Sequence, residues 1–159
     1  MRRLTFLLVL AITLLPGALS AAEAPKPLVT ASSNWAGVGI DLMTVERKGS
    51  VLTVKWAATN SGEKYADIAF GFTGKDVCYA VDEESGTKYY VLTDKEGNAL
   101  ASASADFIGN STYGISVRID PGQTHRFWMK LPAPPPEVKK IGIFLNNVEP
   151  FEEIAITDR

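Results

Sequence analysis

An all-β fold, a two-sheet antiparallel sandwich of about eight strands, is what this 159-residue sequence predicts, on three observations. From Val38 onward, short segments rich in Val, Ile, Thr and aromatic residues alternate apolar with polar side chains, the period of a half-buried strand. Clusters of Gly, Asp, Asn and Pro interrupt them roughly every dozen residues. No long segment carries helical spacing. Regular punctuation of this kind favours a sandwich over any α/β arrangement, with a closed β-barrel as the alternative.

Residues 1–22 read as a cleaved secretory signal peptide. Arg2 and Arg3 precede an apolar run from Phe6 to Leu15, followed by Pro16-Gly17 and the small-residue stretch Ala18 to Ala22. The run is half the roughly 20 residues that a spanning helix needs. Cleavage fits after Ser20 or Ala22, with Ala22 preferred, so the exported chain begins near Glu23. Residues 23–37, with Pro25, Pro27 and a Ser/Asn cluster, read as a flexible linker, and 38–159 as the folded domain.

The first strand covers Val38 to Val45. In Val51 to Ala58, the residues Leu52, Val54, Trp56 and Ala58 alternate with Thr53, Lys55 and Ala57, so the first set faces a core and the second faces out. Thr59-Asn60-Ser61-Gly62 ends that strand. Tyr65 to Phe72 puts Ile68, Phe70 and Phe72 on one face. Asp76 to Asp82 and Lys88 to Thr93 flank the turn Glu83 to Thr87. At Asp94 to Asn98 a second hairpin follows, in which Gly97 supplies the left-handed conformation of a tight connection. Tyr113 to Ile119 alternates again, and Asp120-Pro121-Gly122 turns the chain into Thr124 to Leu131. There Phe127, Met129 and Leu131 share one face, and Arg126, Trp128 and Lys130 the other. Pro132 to Pro136 is a stiff connector, because proline fixes φ and lacks a donor. Val138 to Leu145 and a short strand near Ile154 to Thr157 complete the set.

The chain holds 16 basic and 18 acidic residues. Loss of Arg2 and Arg3 with the leader brings the net charge to about −4. A mildly acidic domain without a basic run lacks the clustered cations that nucleic acid requires. Cys78 is the lone cysteine, so no internal disulfide can form and the fold rests on packing; its strand-like surroundings place the thiol inside.

A family likeness rests on Val51 to Gly62, Tyr79-Ala80-Val81-Asp82, Gly86-Thr87-Lys88-Tyr89, Pro121-Gly122-Gln123-Thr124, Phe127-Trp128, Leu131 to Pro136 and Pro150-Phe151. In these the chain, over about residues 38–157, resembles the immunoglobulin-like sandwich domains of unknown function found in bacterial envelope and secreted proteins. The resemblance implies an interaction or accessory module. It brings no catalytic residues, because its motifs are turns and core positions.

The residue supply points the same way. His125, the lone histidine, lies two residues before Phe127 in the inward phase of its strand, without a Gly-x-Ser-x-Gly turn to accompany it. Asp82, Glu83 and Glu84 are the candidates for a carboxylate pair, and they fall at a hairpin tip. Metal ligands are few, and Asp94 to Asn98 lacks the downstream bidentate Glu of a calcium loop. Asn110-Ser111-Thr112 matches a glycosylation acceptor by chance. Trp128 between Arg126 and Lys130 has the composition of an anchor for protein or glycan contact, and Trp35 is a second candidate or a plug for the open end of the sandwich.

The expectation is therefore an exported, non-catalytic binding or accessory module, periplasmic or extracellular, without cofactor or metal. It has no transmembrane segment in the exported chain, and its partner is an envelope or extracellular protein or a glycan. Two other classes stay open: a secreted hydrolase with a carboxylate pair, and a protease inhibitor presenting the loop Phe107 to Tyr113.

Overall fold

The computed structural model describes residues 25–74, 77–102 and 114–159. The expected leader, the Phe107 to Tyr113 loop and the Asn110 triplet lie outside them. Eleven strands and no helix occur among the described residues: β1 (Val29–Ser32), β2 (Val38–Lys48), β3 (Val51–Asn60), β4 (Ala66–Gly71), β5 (Tyr79–Asp82), β6 (Thr87–Tyr90), β7 (Gly114–Ile119), β8 (Thr124–Pro132), β9 (Lys140–Phe144), β10 (Phe151–Ala155) and β11 (Thr157–Asp158). Among the described residues no helix is long and apolar enough to cross a membrane.

One sheet runs β1-β2-β3-β8. Its antiparallel registers extend from Val38↔Asn60 to Lys48↔Val51 and from Val51↔Pro132 to Thr59↔Thr124. β1 occupies one end of the free edge of β2, and β11 takes the other end in parallel. A second sheet runs β10-β9-β5-β6, and β4 pairs with β7. None closes into a barrel, and the side chains of all three meet in a single core, which makes the fold a β-sandwich.

The alternation read from the sequence is the alternation observed. Leu52, Val54, Trp56 and Ala58 of β3 are fully buried, as are Met129 and Leu131 of β8, Ile68 of β4 and Ile143 of β9. At the centre the Trp56 ring stacks on Phe127 at 5.6 Å and meets Phe70 edge-on at 5.2 Å. Ala57, on the outward phase, is nonetheless buried, because β3 lies between β2 and β8 and the side chains on both flanks close over a methyl group.

Four details differ from the expectation. Val29–Ser32 is a strand inside the segment expected to be linker: its four residues are β-competent and take up the otherwise unpaired edge of β2. The strand expected over Lys88 to Thr93 stops at Tyr90, where the chain leaves for the first sheet and the Leu92 amide donates to the Lys130 carbonyl at 2.9 Å. The strand expected over Asp76 to Asp82 begins at Tyr79. The last strand is two, β10 and β11, and β10 is irregular, with Glu153 at φ 54°.

Turn chemistry follows the glycines. Gly97 has φ 86° in the Asp94 to Asn98 connection. Gly37 has φ 76°, and a Cβ there would stand 2.8 Å from the Gly62 Cα, so two loops touch where only glycine fits.

Among the described residues two polar side chains are buried, Asn60 and Arg47. Asn60 donates to the Lys64 and Ile119 carbonyls and accepts from the Gly62 amide, which satisfies both ends of its amide. Arg47 lies in the inward phase of β2. There it donates to the carbonyls of Pro134, Pro135, Pro136 and Val138 and grips Asp158 of β11 with Nε and Nη2.

Candidate functional site

β8 places the expected anchor in the open. Arg126, Trp128 and Lys130 occupy its outward phase, and each is exposed, Trp128 at 38%. Their separation follows from strand geometry, about 6.6 Å between successive outward residues. Lys55 of β3 stands directly opposite Trp128, with Thr53 opposite Lys130 and Ala57 opposite Arg126. Lys130 Nζ lies 5.9 Å from the centre of the Trp128 ring, within reach of a cation–π contact.

The charges on this face are unbalanced. Its acidic residues, Asp41 and Glu46 of β2, are already engaged, Asp41 by the Thr30 hydroxyl and Glu46 by Arg159 at 3.1 Å. Lys55, Arg126 and Lys130 form no ion pair among the described residues. Three unpaired cations thus surround an exposed indole on a domain whose net charge is negative. None of the described cavities is lined by these four residues.

Trp35 is not part of that site. It follows β1 in a turn closed by the Val38 amide on the Trp35 carbonyl, is half-buried, and meets the inner residue Phe70 edge-on at 5.5 Å. It also lines an open cavity of about 590 Å³ with Thr30, Ser33 and Glu149, apart from the residues around Trp128.

The remaining chemical candidates are accounted for locally. His125 follows the inward phase of β8, but at the first turn of the strand, where it is exposed and rests its ring 4.7 Å from that of Phe127. Cys78 is fully buried just before β5, its thiol donating to Asn146 Oδ1 at 3.3 Å, and burial pushes its pKa up to about 12. Asp94 spends its carboxylate on the Glu96 and Asn98 amides and the Asn98 side chain, as a turn residue does. Among the described residues no group of three or more His, Cys, Asp or Glu is placed to hold a metal ion.

Asp82, Glu83 and Glu84 line an open groove of about 790 Å³ together with Glu137, Glu153 and Tyr89. Asp82 is held below the usual carboxylate range by the Ser85 hydroxyl, and Glu153 by Lys140 at 2.7 Å. Both shifts favour the ionised form, the opposite of what a general acid needs.

One surface feature escaped the sequence reading. On the second sheet, register sets Tyr79 opposite both Tyr90 and Phe144. Tyr79 stacks on Phe144 at 4.9 Å and leans against Tyr90 at 5.9 Å, with Lys88 over the Tyr79 ring. The sequence shows three aromatics in three strands; only the pairing aligns them. Tyr90 stays 53% exposed beside them. Tyr65, 56% exposed, lies under an Arg118 already bound to Asp67.

Compared with family models, curated proteins and solved structures, the chain matches none.

Proposed function

We propose that the protein is an exported, non-catalytic binding module that contacts its partner through the outer face of β8 and β3, with Trp128 as anchor and Arg126, Lys130 and Lys55 around it. The observation that carries this reading is the exposed indole among cations that form no ion pair among the described residues. Aromatic and Arg side chains of this kind dominate the energetics of contact surfaces. The leader-like residues 1–22 support export, and the likeness to immunoglobulin-like envelope domains supports a role outside the cytoplasm.

The test is affinity capture of envelope and culture-medium components with the protein purified after export, beside its Trp128→Ala variant. A component retained by the parent and lost by the variant is expected. Capture insensitive to Trp128 would contradict the reading.

A further inference from the structure

The ligand class can be read from the charge and the residue spacing of the same face. Trp128 presents an exposed ring on a sheet face, with cations along its own strand and one directly across from it. An anionic membrane is recruited by clusters of four to eight basic residues, and only three stand here. A polymer that lies flat and alternates an apolar ring face with fixed negative charges meets both features at once.

We propose that the Trp128 face binds a linear acidic polysaccharide, a sugar ring lying on the indole and its charged groups meeting Arg126, Lys130 and Lys55. The spacing permits it. Arg126 and Lys130 flank Trp128 by about 6.6 Å on either side along β8, while Lys55 stands across the strand pair about 5 Å away. A chain running along β8 therefore meets cation, ring and cation in succession, with a further cation beside the ring. The Arg126 fork suits a carboxylate or sulfate bidentately, and Lys130 and Lys55 act as point charges. Of the acids on this face, Glu46 is paired with Arg159, and Asp41, bonded to the Thr30 hydroxyl, keeps its charge, so the face carries three cations against one unpaired acid.

This inference rests on the binding-module reading, and its test separates the two. The protein purified after export is titrated with sodium alginate oligomers, neutral dextran, poly-L-glutamate, and phosphatidylglycerol vesicles. The expected result is binding to alginate alone, weakened as salt rises because exposed charges are screened within about 8 Å at physiological ionic strength. Lys55→Ala, Arg126→Ala and Lys130→Ala should each weaken it about two- to fivefold, the value of an exposed ion pair. Trp128→Ala should weaken it about fivefold or more.

Binding to poly-L-glutamate or to vesicles at equal or higher affinity would overturn the inference, as would equal affinity for dextran or indifference to the three cations. Failure to bind alginate, in a protein that still captures a Trp128-dependent component, overturns the ligand class and leaves the module reading standing. Failure of both removes both.

Discussion

Replacement of Arg47 by Met should cost the fold about 3 to 5 kcal/mol. Arg47 is 6% exposed in the inward phase of β2, where alternation otherwise demands an apolar side chain. What it serves is a segment unable to serve itself: Pro134, Pro135 and Pro136 contribute carbonyls but no N–H groups. Nη1 reaches the Pro135, Val138 and Pro134 carbonyls at 2.7, 3.1 and 3.2 Å, and Nε and Nη2 hold Asp158 at 2.6 and 3.1 Å. A hydrogen bond to a charged group is worth about 1.5 to 3 kcal/mol net. Nη1 has two protons for its three acceptors, and Asp158 is half-exposed, so water recovers part of its loss. Two full bonds' worth is about 3 to 6 kcal/mol, and removing one partner of a buried pair costs about 3 to 5, which sets the stated range.

Met fills the volume without donors, which differs from replacing every member of a buried polar group at once: the carbonyls stay behind without partners. In urea, with a slope of about 2 kcal/mol/M, the unfolding midpoint should fall by about 1.5 to 2.5 M at unchanged slope. Arg47→Lys, which keeps the charge and loses the fork, should fall between. A midpoint loss worth under about 1 kcal/mol for Arg47→Met would refute the reasoning, because it would mean that water or backbone shifts satisfy the proline carbonyls without help.

Other substitutions and conditions follow from the same structure. Trp56→Ala should cost about 3 to 5 kcal/mol by opening a cavity among Phe70 and Phe127; Trp56→Phe should cost much less in the same urea titration, because it keeps the stack and removes an indole N–H that has no partner among the described residues. With its pKa pushed up to about 12, the Cys78 thiol should ignore an aromatic disulfide reagent in the native protein and release one equivalent on unfolding; rapid native reaction would contradict its burial. Asp158, Asp67 and Glu153 are held below the ordinary carboxylate range by Arg47, Arg118 and Lys140. Their contribution is present above the unfolded values near pH 4 and lost as pH falls through the lower folded ones, so the thermal midpoint should be flat from pH 8 to 5 and drop below about 4. A midpoint that rose on acidification would show the sign to be wrong.

The fold was legible where side-chain period alone decides the outcome. Trp56 in β3, Phe127 in β8 and Ile143 in β9 each sit in a run where apolar residues recur at every second position, and all are buried. It was illegible where backbone pairing decides. Nothing local to Val29–Ser32 says that β2 has a free edge for it, and nothing in Tyr79, Tyr90 and Phe144 says that they form one row. Arg47 was hidden for the opposite reason: its neighbours read as an ordinary strand, and its partners lie 87 to 111 residues away. The Trp128 face was legible because one strand carries its three main residues, and Lys55 joined it only through register. Trp35 resisted because composition places it in a polar stretch, while its ring is drawn inward by Phe70.

The central claim is that the outer face of β8 serves contact and not folding, and the Arg126→Ala/Lys130→Ala double variant tests it most directly, since both side chains are exposed and form no ion pair among the described residues. Its urea midpoint and its capture of exported components are measured side by side with the parent. The account predicts stability within about 0.5 kcal/mol per substitution and loss of the captured component. Undiminished capture at parental stability would contradict it, and so would a collapse of stability.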